Sequence, residues 1–360
     1  MISDRKLSHL EICRDRDVGS RGKATHLSDV ELIHNALPEL NIEDVDLSAS
    51  LFGKKLSAPV LISAMTGGHP ATKKVNENLA RAADELGLGI CVGSQRAAIE
   101  DSRMEDSFRV VREASDKLLV VANIGTAQLL SSDSVSIAEK ALAMVEADAI
   151  AVHLNPLQEL VQPHGDTKYR GVLKSLKALT KSIHKPVMVK ETGCGISKEV
   201  AKSLMVTGIS AIDIAGVGGT SWAAVEHYNA QLQGDKFKAE VADTMWDWGI
   251  PTAMCICEVA SLKLDIPILA SGGLTNGLEM AKCIALGASF VGVARPLLLP
   301  AFSSHKEVSS KLERMIHELR ISALLSSSRD LDELKQAPKV ISGELLNWIT
   351  QRRLAVGKNA

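Results

Sequence analysis

The chain has few aromatic residues. Phe, Tyr and Trp together make up 3% of its 360 positions, so any core must be built mainly from Leu, Ile, Val, Ala and Met. Neither charge is in excess: Lys plus Arg number 41 and Asp plus Glu 43, for a formal net charge of -2. That balance argues against a general binder of nucleic acid or of membrane surfaces, and leaves room for a local basic pocket. No apolar run reaches the ~18 residues needed to span a bilayer. The opening Met1-Ile2-Ser3-Asp4-Arg5-Lys6 has no apolar signal core behind its charges, and the chain reads as cytoplasmic. Six cysteines, at 13, 91, 194, 255, 257 and 283, are scattered rather than paired. Without an export signal they read as reduced, mostly buried thiols. Cys255-x-Cys257 has the form of half a zinc site, but no second close pair supplies the other ligands.

What the sequence does have is the makeup of a globular protein, with 46% hydrophobic and 23% charged residues, which excludes a wholly disordered chain. At ~150 residues per domain the length suggests two domains, yet α/β barrels run past ~250 residues as one. One pattern repeats from 58 to 300: a short apolar run, a polar turn, then a helical stretch. The runs lie at 59–64, 89–92, 118–124, 149–154, 186–190, 211–215, 267–270 and 290–294. Runs apolar on both sides suit parallel strands covered on both faces. Helical patterns at 73–86, 136–146, 173–182, 198–206 and 278–286 alternate with them, as βαβ units do. Eight units predict an α/β fold, a (β/α)8 TIM barrel with an N-terminal extension and C-terminal helices. The rival, a doubly wound open sheet, is disfavoured because no G-x-G-x-x-G follows the first run. Outside the repeat lie a polar extension at 1–57, a long segment at 216–252 read as a functional loop, and a helical segment at 301–360 with a polar, frayed end. The long segment holds Trp222, Trp246 and Trp248, three of the four tryptophans.

In such a barrel the chemistry sits where strands end. Ala64-Met65-Thr66-Gly67-Gly68 follows the first run, its glycines suited to close backbone approach to a ligand. Ser94 and Arg96 follow the second, with Arg96 able to clamp a phosphate. Asn123, after the third, has donor and acceptor groups suited to a heterocycle edge. Taken singly, these three are equally a turn, a surface cation and a cap. The fourth run ends in His153-Leu154-Asn155-Pro156-Leu157-Gln158-Glu159, followed by Gln162, His164 and Asp166, a density of polar groups that packing explains poorly. Glu159 suits magnesium, a hard ion that needs few protein oxygens when phosphate and water supply the rest. Lys190 closes the fifth run, where a lysine must be paired, with Glu191 or Asp213, or exposed in a site. Gly216-Val217-Gly218-Gly219-Thr220 after the sixth run is a loose glycine-rich signature for phosphate. Gly272-Gly273 and Ala294-Arg295 after the last two stand where such barrels often hold phosphate. Arg5, Lys6 and His9 form either a second phosphate site or a frayed charged terminus.

These motifs together resemble the type 2 isopentenyl-diphosphate isomerases, FMN-dependent barrels, over nearly the whole chain. The resemblance rests on Arg5-Lys6-x-x-His9, Met65-Thr66-Gly67-Gly68, Ser94-Gln95-Arg96, His153-x-Asn155-x-x-Gln158-Glu159, Gly218-Gly219-Thr220 and Ser271-Gly272-Gly273. Its most specific element is Asn155-Pro156-Leu157-Gln158-Glu159, which related flavin barrels lack. It implies that Arg5, Lys6, His9, Ser94 and Arg96 hold a substrate diphosphate, that His153, Asn155 and Gln158 line the pocket at the reacting carbons, and that Glu159 binds magnesium. It implies FMN contacts from Ala64, Met65, Thr66, Ser94, Asn123, Lys190 and Thr220, with the FMN phosphate on Gly272, Gly273, Ala294 and Arg295. Ala215 departs from the small hydroxyl residue expected in some relatives, which puts one contact in doubt. The implied reaction interconverts isopentenyl and dimethylallyl diphosphate by 1,3-allylic proton transfer, in isoprenoid biosynthesis. FMN works reduced, with NADPH or another reductant as activator. The electron-rich ring would stabilise a tertiary carbocation, with its N5 as an acid–base group and Lys190 holding the anionic ring. Gln158, His153 and Lys190 are the implied catalytic residues, Gln158 positioning substrate or relaying a proton. The resemblance also implies a homotetramer or homo-octamer.

The alternative is an FMN-dependent 2-hydroxy-acid oxidase or dehydrogenase, which shares the barrel and phosphate site. Such an enzyme wants a His and an Arg after the sixth strand, and 216–221 contains neither. A dehydrogenase using Cys194 as nucleophile lacks an obvious partner base. A non-catalytic flavin or phosphate module leaves the polar cluster from His153 to Asp166 without a role.

Overall fold

Each of the eight apolar runs becomes a strand. In the computed structural model, which describes residues 2–355 and the side chains from residue 5 onward, the strands are Val60–Ile62, Gly89–Cys91, Leu119–Gly125, Ala149–Leu154, Val187–Glu191, Ala211–Asp213, Ile268–Ala270 and Phe290–Val293. Each pairs in parallel with the next, and the last returns to the first through Val291–Val60, Gly292–Leu61 and Val293–Ile62. The ring is closed, which excludes the open sheet.

Strand alternation divides the core in two. One parity points inward: Leu61, Cys91, Leu119, Val121, Ala149, Ala151, Met188, Ala211, Leu269 and Phe290 form a single buried cluster. The other parity, with Val120, Ala122, Ile150, Val152 and Val189, packs outward against the helices. Both parities are buried, which is why the runs read as continuous rather than alternating. Alanines at three inward positions let the ring close with few aromatic side chains. A hairpin, Ala49–Leu51 with Lys54–Leu56, plugs the N-terminal end of the barrel with Leu51 and Leu56. Its two turn residues, Phe52 and Gly53, both have positive φ, as a tight hairpin turn demands.

The helices between strands include Lys73–Glu85, Ser134–Met144, Val172–Ser182, Lys198–Met205 and Gly277–Ala285, each within two residues of the sequence pattern. Ser197 and Asn276 start two of them by accepting the Val200 and Glu279 amides, the usual role of such caps.

Two expectations need correction. The segment 216–252 is largely helical rather than a loop: Trp222–Leu232 and Lys236–Thr244 pack against each other. Its polar–apolar pattern is too short to read as two helices, but Ser221 and Asp235 cap them by accepting the Ala224 and Lys238 amides. Nor is the C-terminal segment frayed as far as it is described. Strand Lys339–Ile341 pairs antiparallel with Val30–Leu32, and helix Gly343–Arg352 follows. Arg352 clamps that helix down, donating from Nε to buried Glu258 at 2.7 Å and from Nη2 to Glu199 at 2.7 Å. Trp348 Nε1 donates to the same Glu258 at 2.9 Å. Residues 356–360 lie outside the described residues. Among the described residues, no helix is long and apolar enough to cross a membrane.

Candidate active site

The inward parity of the strands continues past the apolar layers into a polar one. Asn123, His153, Lys190, Asp213 and Ser271 follow Val121, Ala151, Met188, Ala211 and Leu269 by two residues each, so all face the axis at the C-terminal mouth. Register places His153 beside Lys190 and Lys190 beside Asp213.

Two connected cavities open above this layer. The first, about 120 Å³, is polar, and its wall includes Arg5, Lys6, His9, Ser94, Arg96, Asn123, His153, Asn155, Gln158 and Glu159. The second, about 670 Å³, is lined by Thr66, Thr220, Gly272, Gly273, Ala294 and Arg295. Ala64, Met65, Lys190 and Trp222 belong to both walls. The structure thus brings the substrate, flavin and magnesium candidates, from Arg5 to Arg295, to one of two adjoining chambers. Ser94 and Asn123 face only the smaller one.

The N-terminal helix Ile2–Asp15 lies across this mouth, packed on helix Trp222–Leu232. Ser221 N donates to Val18 O at 2.7 Å, Trp246 Nε1 donates to Gly19 O at 2.8 Å, and the Arg21 guanidinium sits 3.4 Å from the Trp246 ring centroid. Arg5, Lys6 and His9 therefore line the mouth of this chain's barrel rather than forming a frayed terminus.

In the polar chamber the fourth strand end is tightly networked. His153 Nδ1 is 2.9 Å from Asn123 Oδ1. Burial, with the Lys190 and Lys6 charges, pushes the His153 imidazole down to about 3, so the ring is neutral. Asn155 Nδ2 donates to Gln158 Oε1 and to Glu159 Oε1, each at 3.1 Å. Glu159 Oε2 accepts from Gln162 Nε2 at 2.5 Å and from the Asp166 amide at 2.8 Å. Arg96 holds Asp166 at 2.6 Å and Glu100 at 2.9 Å. The Lys6 ammonium is lowered to about 8, by burial first and then by neighbouring Arg5.

At the fifth strand end Lys190 lines both chambers, and the ion-pair alternative does not hold. Lys190 forms no ion pair among the described residues; its Nζ donates to the Glu191 main-chain carbonyl at 2.5 Å. Asp213 is occupied instead by Ser271 Oγ at 2.6 Å, and burial raises its carboxyl pKa. The Glu191 carboxylate turns away to the loop, where Oε2 accepts the amides of Thr192, Gly193 and Cys194 at 2.6, 2.7 and 2.5 Å.

One glycine reading changes, and a second gains a packing reason. Gly67, taken as a ligand-approach glycine, lines neither cavity. A Cβ on it would lie 2.1 Å from the Phe108 ring, so packing dictates the residue. Gly272 has φ 103, and its Cβ would lie 2.1 Å from Gly216 O. The loops after the sixth and seventh strands are therefore packed backbone on backbone, and that contact builds the floor beside Arg295.

One buried residue escaped the sequence. Glu226 is 0% exposed. It accepts from Gln158 Nε2 at 3.0 Å and Asn229 Nδ2 at 2.9 Å, and its Oε1 lies 3.0 Å from His9 Nε2 at an angle short of a hydrogen bond. Its place one helical turn after Trp222, which lines both chambers, was the available signal. Of the cysteines, Cys13 and Cys194 are half-buried rather than buried. Burial and the Glu191 charge push the Cys194 thiol up, which removes it as a nucleophile. Among the described residues no cluster of three His, Cys, Asp or Glu could hold a metal.

The residues fit an FMN-sized group and a weakly held cation. A cavity of about 670 Å³ falls within the usual range for ligand sites, and it offers a close-packed glycine floor with Arg295 beside it. Glu159 is a lone carboxylate, which suits magnesium only if a phosphate completes its shell.

Comparisons with known proteins agree with this geometry. The family model described as FMN-dependent dehydrogenase matches residues 1–154 and 155–340. An isopentenyl-diphosphate delta-isomerase of Methanothermobacter thermautotrophicus is 46% identical over 360 residues, covering 100% of this chain and 99% of the relative. One of Methanococcoides burtonii is 46% identical, covering 97% and 96%. Among solved structures, a lactate oxidase of Pediococcus acidilactici superposes with a TM-score of 0.67 at 17% identity, covering 94% of this chain and 90% of that one. That likeness speaks to the fold alone.

Proposed function

Since this chain belongs to the isopentenyl-diphosphate delta-isomerase family, within the FMN-dependent dehydrogenases, we propose that it interconverts isopentenyl and dimethylallyl diphosphate by 1,3-allylic proton transfer. The observation that carries this reading is the junction of the two chambers. A cation-rich polar pocket meets a larger glycine-floored cavity at Lys190, Ala64 and Met65. Reduced FMN, bound in the larger cavity, supplies an electron-rich surface beneath a developing carbocation.

The chain's own residues do the rest. Arg5, Lys6, His9, Ser94 and Arg96 bind the diphosphate, and Glu159 holds magnesium against it. Thr66, Thr220, Gly272, Gly273, Ala294 and Arg295 seat the FMN, with Ala64, Met65, Ser94 and Asn123 at its edge. Lys190 presents a fixed positive charge to the ring. His153 is neutral and its Nδ1 faces Asn123, so it orients the pocket as a hydrogen-bonding ring rather than as a cation. The Gln158 amide is held at both ends, by Asn155 on its oxygen and Glu226 on its nitrogen. That arrangement fixes it to position the substrate or relay a proton. NADPH or another reductant is spent once, in reducing the FMN, and is not consumed in each turnover. We further propose a cytoplasmic homo-oligomer, a tetramer or octamer. The oxidase alternative is disfavoured by 216–221, where no His or Arg is present to bind a carboxylate.

The test is anaerobic incubation of purified protein with FMN, magnesium, NADPH and isopentenyl diphosphate. Dimethylallyl diphosphate formed without stoichiometric NADPH loss is the expected result. Bound flavin without isomerisation would overturn the reaction and leave the cofactor cavity. In Gln158→Ala, turnover should fall strongly while FMN stays bound.

A further inference from the structure

The polar chamber has an exposed cation, Lys168, that no described group engages. Lys168 lies between helix Pro156–Val161 and helix Val172–Ser182. It is exposed and lines the chamber with Arg5, Lys6 and Arg96. Among the described residues its ammonium has no ion pair or hydrogen bond. The other cations are less available. Arg96 already holds two carboxylates, Asp166 and Glu100; Arg5 and Lys6, also without a described ion pair, are half-buried side by side, and desolvation and the Arg5 charge disfavour the Lys6 charge.

The stretch carrying Lys168 is anchored on both sides. A Cβ on Gly165 would lie 1.8 Å from Glu159 O, and the Asp166 amide donates to Glu159 Oε2 at 2.8 Å. Beyond Lys168, Tyr169 Oη donates back to Asp166 O at 3.1 Å. The backbone at 168 is thus fixed over the chamber while its long side chain is free to fold onto a ligand.

The side chains of the chamber carry a surplus of positive charge, which favours a polyanion. Five cationic side chains line the chamber (Arg5, Lys6, Arg96, Lys168 and Lys190) against two carboxylates, Glu159 and Asp166, leaving a surplus of three positive charges. A diphosphate ester carries about three negative charges at neutral pH, and a monophosphate about two.

We propose that Lys168 is a specificity-determining contact for the terminal phosphate, and makes the chamber prefer a diphosphate over a monophosphate. This rests on the reading of the chamber as a diphosphate site. The test is calorimetric titration of FMN-loaded protein with inorganic pyrophosphate and with orthophosphate, for wild type, Lys168→Ala and Lys168→Arg. The pyrophosphate Kd should rise roughly tenfold in Lys168→Ala, and most of that should return in Lys168→Arg. Orthophosphate binding should change by less than about twofold, and the KM for isopentenyl diphosphate should follow pyrophosphate rather than orthophosphate. An unchanged pyrophosphate Kd in Lys168→Ala overturns the proposal, as does an equal loss for both anions. If pyrophosphate binding falls in the variant but isopentenyl diphosphate is not isomerised by wild type, the isomerase reading fails and this one stands. Isomerisation with an unchanged KM in Lys168→Ala gives the reverse.

Discussion

His153 Nδ1 sits 2.9 Å from Asn123 Oδ1, and the amide nitrogen of the same Asn123 donates to the Val92 carbonyl at 3.0 Å. With its nitrogen occupied, Asn123 offers only its oxygen, so Nδ1 must be the protonated nitrogen of a neutral ring. Three strand ends are joined by this pair of bonds, and burial with the Lys190 and Lys6 charges disfavours a second proton on the ring.

That burial has a consequence for stability. The His153 pKa falls from 6.5 to about 3 in the folded state, through burial and then the Lys190 and Lys6 charges. Between those values the unfolded chain binds the proton and the folded chain does not, so stability rises with pH across that window. His153 costs nothing above pH 6.5 and up to about 1.4 kcal/mol for each pH unit below it. Urea unfolding of wild type and His153→Gln from pH 4.5 to 7.5 should show a shallower acid limb in the variant. Parallel pH profiles would contradict the assignment.

The Glu226 carboxylate joins Gln158, Asn229 and His9 from a fully buried position. Glu226→Gln keeps the shape but gives one carbonyl oxygen where two carboxylate oxygens accept from amides. Turnover should fall by roughly 10 to 100-fold, since a lost charge-assisted bond of about 1.5–3 kcal/mol corresponds to that range. FMN affinity should stay near wild type, because Glu226 lines neither chamber. A variant that loses flavin and turnover together would place Glu226 in folding rather than in aligning Gln158.

Glu191 is the scaffold of a loop that faces the flavin cavity. One carboxylate oxygen gathers four consecutive amides, from Thr192 to Gly195, while the main-chain carbonyl holds the Lys190 ammonium. In Glu191→Ala those amides lose their partner, and Thr192 and Gly193, which line the larger cavity, lose their fixed position. A fluorescence titration should show the FMN Kd rising by at least about tenfold, with faster amide exchange at 192–194. Unchanged FMN binding would mean that the loop is held by its other contacts.

How much of this was legible in the sequence varies with the range of the interactions. All eight strands could be read, because a parallel strand buried on both faces leaves a local signature in four to seven consecutive residues. The candidate residues at the strand ends were legible for the same reason: the residue that ends an apolar run must point into the mouth when its parity matches the inward core. The helices within 216–252 were not, because two short helices that pack mainly on each other and on the N-terminal helix carry no long amphipathic pattern.

Composition and order of residues determined the barrel, the polar layer at its mouth and the family. Tertiary structure alone decided the rest. It set which partner Lys190 takes, since a buried ammonium and two nearby carboxylates have several neutral arrangements that sequence cannot rank. It brought Glu226 beneath Gln158 across 68 positions and laid Arg5 to His9 over their own barrel. It also separated Gly67, required by the Phe108 ring, from glycines that floor the cavity. These are contacts between distant segments, and their energies depend on distance and burial that arise only once the chain has closed on itself.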